Sequence, residues 1–577
     1  MLYLAPLVIL LAGAILVFFF GPRPGYARLL ALLSAAAAFL FTVGMVARPG
    51  SFVLLRRGLE KTDLLLYAGG PGLILALLVT FIILVSIGVR FSKREEPPVF
   101  VSTLLLAAGA FVFLLSHNPL TLYLGWGLLD LSILFSLAQG ASPRTATRVM
   151  IINFTAGFAL LLSLLATTSL EGSSTRYSPQ LLAPLMLLAS WVRWGLYPLQ
   201  MVHIAAEEIP FLSGSALQTV ALATGGYFFT LYGWPRLTGM PRTALFLLAG
   251  LALFYGALST WRNPTGPKGI PREIPREKRL SLYLAQFQMG LLALSLLAGG
   301  TGSGQAVLLV TVSLILALNV LRAGMEALPS TPRQRLIVRV GLGIGVASLC
   351  GLPLTTGFAV RWLIYDSLLR QGKGLIVGLG ALSSALIVVP LLGFISRGPA
   401  RHMEGRGGWA SVVTLWLLVF PLVILGLYPQ IALVRPEAIS ELFPSLPQLW
   451  GAPFSLPIWV AIVLPLPLGY LAFSQRDTFV RFQERWLRRA GAFWERFSFP
   501  IPQVPQGSRG RSRPTGIPRE GTGILSYLDL EGLYGALEGV GGKICSGLRG
   551  VVTVVEGGSL GWLLLWALIV ALFLLRK

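Results

Sequence analysis

Leu181 to Pro198 reads Leu-Leu-Ala-Pro-Leu-Met-Leu-Leu-Ala-Ser-Trp-Val-Arg-Trp-Gly-Leu-Tyr-Pro. The run has the length and apolarity of a transmembrane helix, yet Arg193 puts a fixed charge in it and Pro198 breaks it five residues later. A guanidinium at bilayer depth costs about 3 kcal/mol or more, so it is rarely accidental and marks an ion pathway or a buried pair. Asp130, Arg322 and Arg361 repeat the pattern in other apolar segments. The chain therefore reads as an all-α polytopic membrane protein with a line of buried charges.

Composition supports this class. Of 577 residues, 55% are hydrophobic and 12% charged, about half the charged fraction of a soluble domain. Mean hydropathy is +0.76. Leu/Ala richness with little period-two patterning argues against an outer-membrane barrel. Apolar runs place helical spans at about 3–20, 27–46, 72–89, 99–115, 119–138, 147–169, 180–200, 215–233, 243–260, 280–299, 304–326, 336–371, 374–396, 409–430, 454–474 and 559–575. The count is about 14–16, with two discontinuous helices: one broken at Pro198, one at Gly351-Leu352-Pro353. Broken helices at membrane depth line cavities or lie buried in protein, and they hold the ion sites of many transporters. Residues 3–20 lack a basic leader and a small-residue cleavage site, so a retained first helix is expected.

The net charge of +23 comes from Arg and Lys clustered between apolar spans, which the positive-inside rule explains without nucleic acid as a partner. Placing the N-terminus outside puts Arg23/Arg28, Arg90/Lys93/Arg94, Arg144/Arg148, Arg262 to Arg279, Arg333/Arg335/Arg339 and Arg397/Arg401/Arg406 in the cytoplasm. The other side holds chiefly Arg48, Arg56, Arg57 and Lys61. The only cysteines, Cys350 and Cys545, form no Cys-x-x-Cys, so no metal or iron–sulfur site is written here and any redox chemistry belongs to a partner.

Five segments follow: N-terminal helices over 1–98, a core with two broken helices over 99–430, an additional span over 431–475, a basic lateral segment and linker over 476–558, and a closing anchor over 559–577. In the fourth, Arg476, Arg481, Arg485, Arg488, Arg489 and Arg496 alternate with Phe482, Trp486, Leu487, Phe493 and Trp494, which suits an amphipathic helix at an anionic surface. Residues 500–521, rich in Pro, Gly and Arg, read as a linker.

Three stretches together resemble the antiporter-like membrane subunits of respiratory complex I (NADH:quinone oxidoreductase), membrane-bound hydrogenases and Mrp-type cation/proton antiporters. They are Ser190-Trp-Val-Arg-Trp-Gly-Leu-Tyr-Pro198 with Ser213-Gly-Ser215, Lys278-Arg-Leu-Ser-Leu-Tyr-Leu-Ala-Gln-Phe-Gln-Met-Gly290, and Ser348-Leu-Cys-Gly-Leu-Pro-Leu-Thr-Thr-Gly-Phe358 with Arg361. Their order and spacing carry the resemblance over residues 100–400 or so. It implies inverted five-helix repeats, no cofactor in this chain, other membrane subunits as partners, protons or sodium as the transported ion, and a multi-pass place in the inner (plasma) membrane. It also implies a central axis of Glu and Lys residues along which protons move; a desolvated Lys releases its proton more readily than one in water, and a nearby carboxylate tunes that release.

The chain departs from that axis. A Gly-x-Glu-Leu-Leu stretch in the resembled proteins matches Gly125-Trp126-Gly127-Leu128 here, with Asp130 nearly one turn on and on the same face. The Lys of the seventh span becomes Arg193. That of the eighth falls at Ala223 or Thr224. An Asn-His-x-x-x-Lys segment aligns with Ala317 to Arg322, and the twelfth-span Lys becomes Arg361. Pro-x-His gives Gln200, with His203 nearby. Arg is a poor proton carrier, because its proton is about three pKa units harder to remove than that of Lys. Asp130 is expected to pair with Arg193 across helices, the alternative being a lone acid facing a water cavity. Arg322 is expected to pair with Glu326 at i+4, and Arg361 with nearby Asp366. His203, Glu207 and Glu208 are expected at a solvated helix end, with proton uptake as the alternative. Pro198, Gly351 and Pro353 are read as helix-break determinants, and Gly225-Gly226 as a site of close helix approach.

The leading functional expectation is a proton-translocating membrane-arm subunit of a redox-driven pump, with an attenuated proton path. An Mrp-like cation/proton antiporter and a structural scaffold of the membrane arm are the alternatives.

Overall fold

Proline opens helix after helix. In a computed structural model, α2 (Pro24–Ala47), α4 (Pro97–Leu114), α5 (Pro119–Leu137), α6 (Pro143–Leu170), α7 (Pro179–Trp194) and α13 (Pro332–Cys350) all begin with it. The first helical position needs no N–H donor and suits the ring's fixed φ. Asn118 caps α5 by accepting from the Thr121 N–H at 2.9 Å. Thr331 and Gln334 form a reciprocal capping box at the start of α13.

The structure describes residues 2–20, 24–47, 50–55, 64–89, 96–170, 179–229, 240–260, 276–297, 303–326, 331–397, 409–428 and 455–474. The chain divides into two units, Met1–Gly266 with Arg272–Phe479, and Pro267–Pro271 with Val480–Lys577; every described residue belongs to the first. The expected lateral segment over 476–558 and the anchor over 559–577 lie outside the described residues.

The remaining helices are α1 (Ala5–Phe20), α3 (Gly70–Val89), α8 (Met201–Glu208), α9 (Phe211–Phe228), α10 (Met240–Ser259), α11 (Arg276–Leu297), α12 (Ser303–Glu326), α14 (Thr356–Arg370), α15 (Gly374–Arg397), α16 (Trp409–Leu427), α17 (Ser455–Val463) and α18 (Pro465–Ser474). Among the described residues, eight helices are long and apolar enough to cross a membrane by length and composition, and five shorter apolar helical stretches accompany them. The chain is a multi-pass helical membrane protein. The fifteenth expected span, 454–474, is divided into α17 and α18 just before Pro465.

One short element stands beside the helices. Gly50–Leu55 (β1) and Leu64–Ala68 (β2) pair as an antiparallel hairpin between α2 and α3. These runs are too short for a span and of strand length. β2 is fastened to the α4–α5 link, where the Tyr67 N–H donates to the Leu115 carbonyl at 2.7 Å and the His117 N–H to the Leu65 carbonyl at 3.1 Å.

Burial grades from centre to rim. Every residue of 307–324 in α12 is enclosed by protein, and α9 is nearly as enclosed. The rim shows apolar side chains outward, among them Phe18, Phe19, Leu33 and Leu40 on α1 and α2. In lipid such faces need no cover, so burial here reports packing rather than escape from water.

The two breaks share a design. α7 ends at Trp194, Gly195 turns at φ 69° and Pro198 follows; α13 ends at Cys350, Gly351 turns at φ 74° and Pro353 follows. Left-handed φ is open to glycine at no steric cost.

Candidate functional site: buried ion pairs around the broken helices

Asp130 on α5 and Arg193 at the end of α7 meet across the bundle, with Arg193 Nη1 3.0 Å from Asp130 Oδ1 and both side chains buried. Trp126, four residues before Asp130 and so on the same face of α5, completes the site. Its indole lies 3.8 Å under the Arg193 guanidinium, and its carbonyl accepts from Arg193 Nη2 at 3.4 Å. A desolvated cation over an indole face is held by the ring quadrupole as well as by its counter-ion. Phe113 and Phe228 pack around the indole with centroids 6.0 and 5.9 Å away. The ion pair is thus enclosed by protein.

Beyond Trp194 the chain unwinds, and its backbone groups need partners inside protein. Gln286 on α11 supplies two: it accepts from the Tyr197 N–H at 2.7 Å and donates to the Gly195 carbonyl at 2.7 Å. Trp191 Nε1 donates to the Tyr197 carbonyl at 3.1 Å. His203 Nε2 bonds the Trp194 carbonyl at 2.9 Å, so α8 folds back under the end of α7. Gly225 lets α9 approach here, since a Cβ at that position would strike the Trp194 backbone.

A second pair lies further along. Arg322 on α12 bonds Glu207 on α8, and both are buried. Ser281 Oγ on α11 donates to the same carboxylate at 2.6 Å. Glu208, half-buried, turns the other way and accepts from the Ser142 N–H at 2.9 Å and the Thr145 hydroxyl at 2.7 Å, at the start of α6. Asn319, one turn before Arg322, bonds Ser215 and donates to Thr219 Oγ1 at 3.0 Å on α9.

Arg361 on α14 is a further buried guanidinium. It donates to Ser384 Oγ at 2.8 Å and to the Leu349 carbonyl at 2.7 Å, beside the second break. Among the described residues no carboxylate comes within ion-pair range of it.

These placements change two of the expected pairings and the expected setting of α8. Arg322 turns inward to Glu207 instead of along α12 to Glu326, which is the last residue of that helix and whose side chain lies outside the described residues. Asp366, five residues after Arg361, sits on a different face of α14; its partner is Arg370 at i+4, 2.8 Å away. His203 and Glu207 are enclosed rather than solvated, because the chain turns back into the bundle after Pro198 instead of leaving it. Gln286 and Trp126 are the residues that sequence reasoning missed. Both lay inside quoted motifs, but nothing in their spacing marked them as partners of a broken helix and of a buried cation.

No family model matches the sequence. The fold and the site together consist of two glycine-and-proline helix breaks, with buried charged groups packed against each. In fold, the chain is similar to a chain of the Mrp complex from a Dietzia species, with a TM-score of 0.69 at 18% identity over 84% of this chain and 57% of that one. It is also similar to a chain of respiratory complex I from Thermus thermophilus, with a TM-score of 0.63 at 17% identity over 77% of this chain and 99% of that one. In sequence it is 30% identical over 189 residues to NADH-quinone oxidoreductase subunit N 1 of Solidesulfovibrio magneticus, a match spanning 29% of this chain and 40% of that protein. The resemblance read from the three motifs therefore holds in sequence and in fold.

Proposed function

We propose that the chain is a proton-translocating, antiporter-like membrane-arm subunit of a redox-driven assembly of the NADH:quinone oxidoreductase type, resident in the inner (plasma) membrane. Other membrane subunits of a complex-I-like or hydrogenase-like assembly are its partners, and electron transfer takes place in them. The observation that carries this reading is the Asp130–Arg193 pair, buried at 3.0 Å beside a broken helix. A transporter fold places a coupling site there. Arg193, Arg322 and Arg361 act as fixed charges that orient carboxylates and steer ions, because a guanidinium does not give up its proton in a protein. The path is thereby altered from a Lys relay, and sodium remains an alternative to the proton as coupling ion.

The test is the number of protons moved per electron in the intact assembly carrying Asp130→Asn or Arg193→Ala. Loss in both variants is expected; an unchanged ratio in both makes the pair structural and overturns the reading. A second reading, a cation/proton antiporter, draws on the likeness to the Mrp complex chain. It predicts exchange by the purified full chain alone in liposomes, whereas a subunit of a redox assembly is inactive there and co-purifies with quinone-reducing or hydrogen-handling partners.

A further inference from the structure

Arginine keeps its proton at any pH a cell reaches, which leaves open where this chain holds one that can leave again. The buried Asp, Glu, His, Lys and Arg side chains among the described residues are Asp130, Arg148, Arg193, His203, Glu207, Arg322 and Arg361. Setting the four arginines aside leaves Asp130, His203 and Glu207. Asp130 is clamped by Arg193 under the Trp126 indole. His203 and Glu207 stand four residues apart on α8, and so on one face of it. The His203 ring is wholly enclosed, its Nε2 committed to the Trp194 carbonyl and its Nδ1 without a hydrogen-bond partner among the described residues. Glu208 follows Glu207, half-buried and bonded to Ser142 and Thr145 at the turn that leads to Arg144. An acid at the rim is thus followed by an acid inside, and then by an imidazole with a spare lone pair.

We infer that α8 is the proton-loading element of this chain: Glu207 and His203 form one exchangeable-proton site, reached past Glu208 from the Gly140–Ser142 turn. The inference rests on the proton-translocating reading above. A proton from water binds the Glu207 carboxylate, whose ion pair with Arg322 opens while Arg322 keeps its charge; return of that proton to water re-forms the pair. His203 takes and releases the same proton at Nδ1, with its Nε2–H held on the Trp194 carbonyl throughout. Arg322 is the charged group that α12 turns toward this face. α9 brings Ser213, Ser215 and Gln218 but no charge along Phe211–Phe228. α6 presents Arg148, buried on the face that carries Thr145, and α11 brings Ser281, while the side chains of Arg276 to Arg279 lie outside the described residues.

Infrared difference spectroscopy on the full chain in lipid vesicles, stepped from neutral to acid pH in water and in D2O, reads this site directly. The expected result is a protonated-carboxyl stretch that shifts in D2O, vanishes in Glu207→Gln, moves without vanishing in Glu207→Asp, and rises several-fold more slowly in Glu208→Gln. Glu207→Gln strands the Arg322 charge, so the charge-neutral double variant Glu207→Gln/Arg322→Gln is measured beside it and must lack the same stretch. Superimposable spectra from wild type and the double variant overturn the inference. The readout needs no pumping: unchanged proton-to-electron ratios in Asp130→Asn and Arg193→Ala remove the translocation reading, whereas the infrared stretch alone decides the α8 site.

Discussion

Gln286 shows what a single side chain does in a membrane interior. Its amide is the acceptor for the Tyr197 N–H and the donor to the Gly195 carbonyl, two backbone groups that the break at Pro198 leaves without helical partners. Each buried polar group deprived of its partner costs about 1–3 kcal/mol. Gln286→Leu strands both, so it is expected to destabilise the protein by about 2–5 kcal/mol, read as a fall in thermal unfolding temperature in detergent. An unchanged temperature would mean that the break is held by other contacts. The arginines make the complementary point. Arg193 and Arg322 each meet a carboxylate, while Arg361 is satisfied by a hydroxyl and a carbonyl. One partner was legible in the sequence, since Asp130 and Arg193 were the lone charges of two apolar runs. Glu207 was not, because it sits beside Glu208 next to a loop, and only the backward turn of α8 encloses one and leaves the other half-buried.

Among the elements, the close meeting of α7 and α9 fixes the first break. A Cβ on Gly225 would overlap the Trp194 backbone, and one on Gly226 would come 2.8 Å from Thr311 Oγ1. Gly225→Ala is therefore expected to cost about 1–3 kcal/mol by forcing the helices apart. Gly250 on α10 has open space around its Cβ position, so Gly250→Ala serves as the control and is expected to be neutral or slightly stabilising. Thermal unfolding of the two variants side by side checks the difference; equal effects would refute the packing argument. Helix positions were largely readable from apolar length and proline punctuation. The hairpin of β1 and β2 was not, because its short apolar runs carry no span signal and its stability comes from the Leu115 and His117 backbone.

For the whole molecule, buried polar groups gather at both breaks: Asp130 with Arg193, His203 and, on the same short α8, Glu207 with Arg322 around the first, and Arg361 beside Gly351 at the second. The class of the protein followed from composition and motif order, whereas this arrangement depended on which helices turn back into the bundle. The sequence reads the basic segment over 476–558 as an amphipathic helix at an anionic surface, followed by an anchor. On the scaffold alternative, in which this tail holds neighbouring subunits, removing residues 476–577 is expected to release the chain, seen as loss of co-purifying subunits on a native gel. Retention of all partners after that truncation would assign the contacts to the helical core instead.

The enclosure of α12 also bears on how the protein is made. The segment is apolar enough to enter the bilayer, but Arg322 in its last two turns is costly there without a counter-charge. Its counter-charge, Glu207, belongs to a part of the chain synthesised more than a hundred residues earlier. Chain order thus favours the pair: the acid is already made when the arginine that needs it emerges.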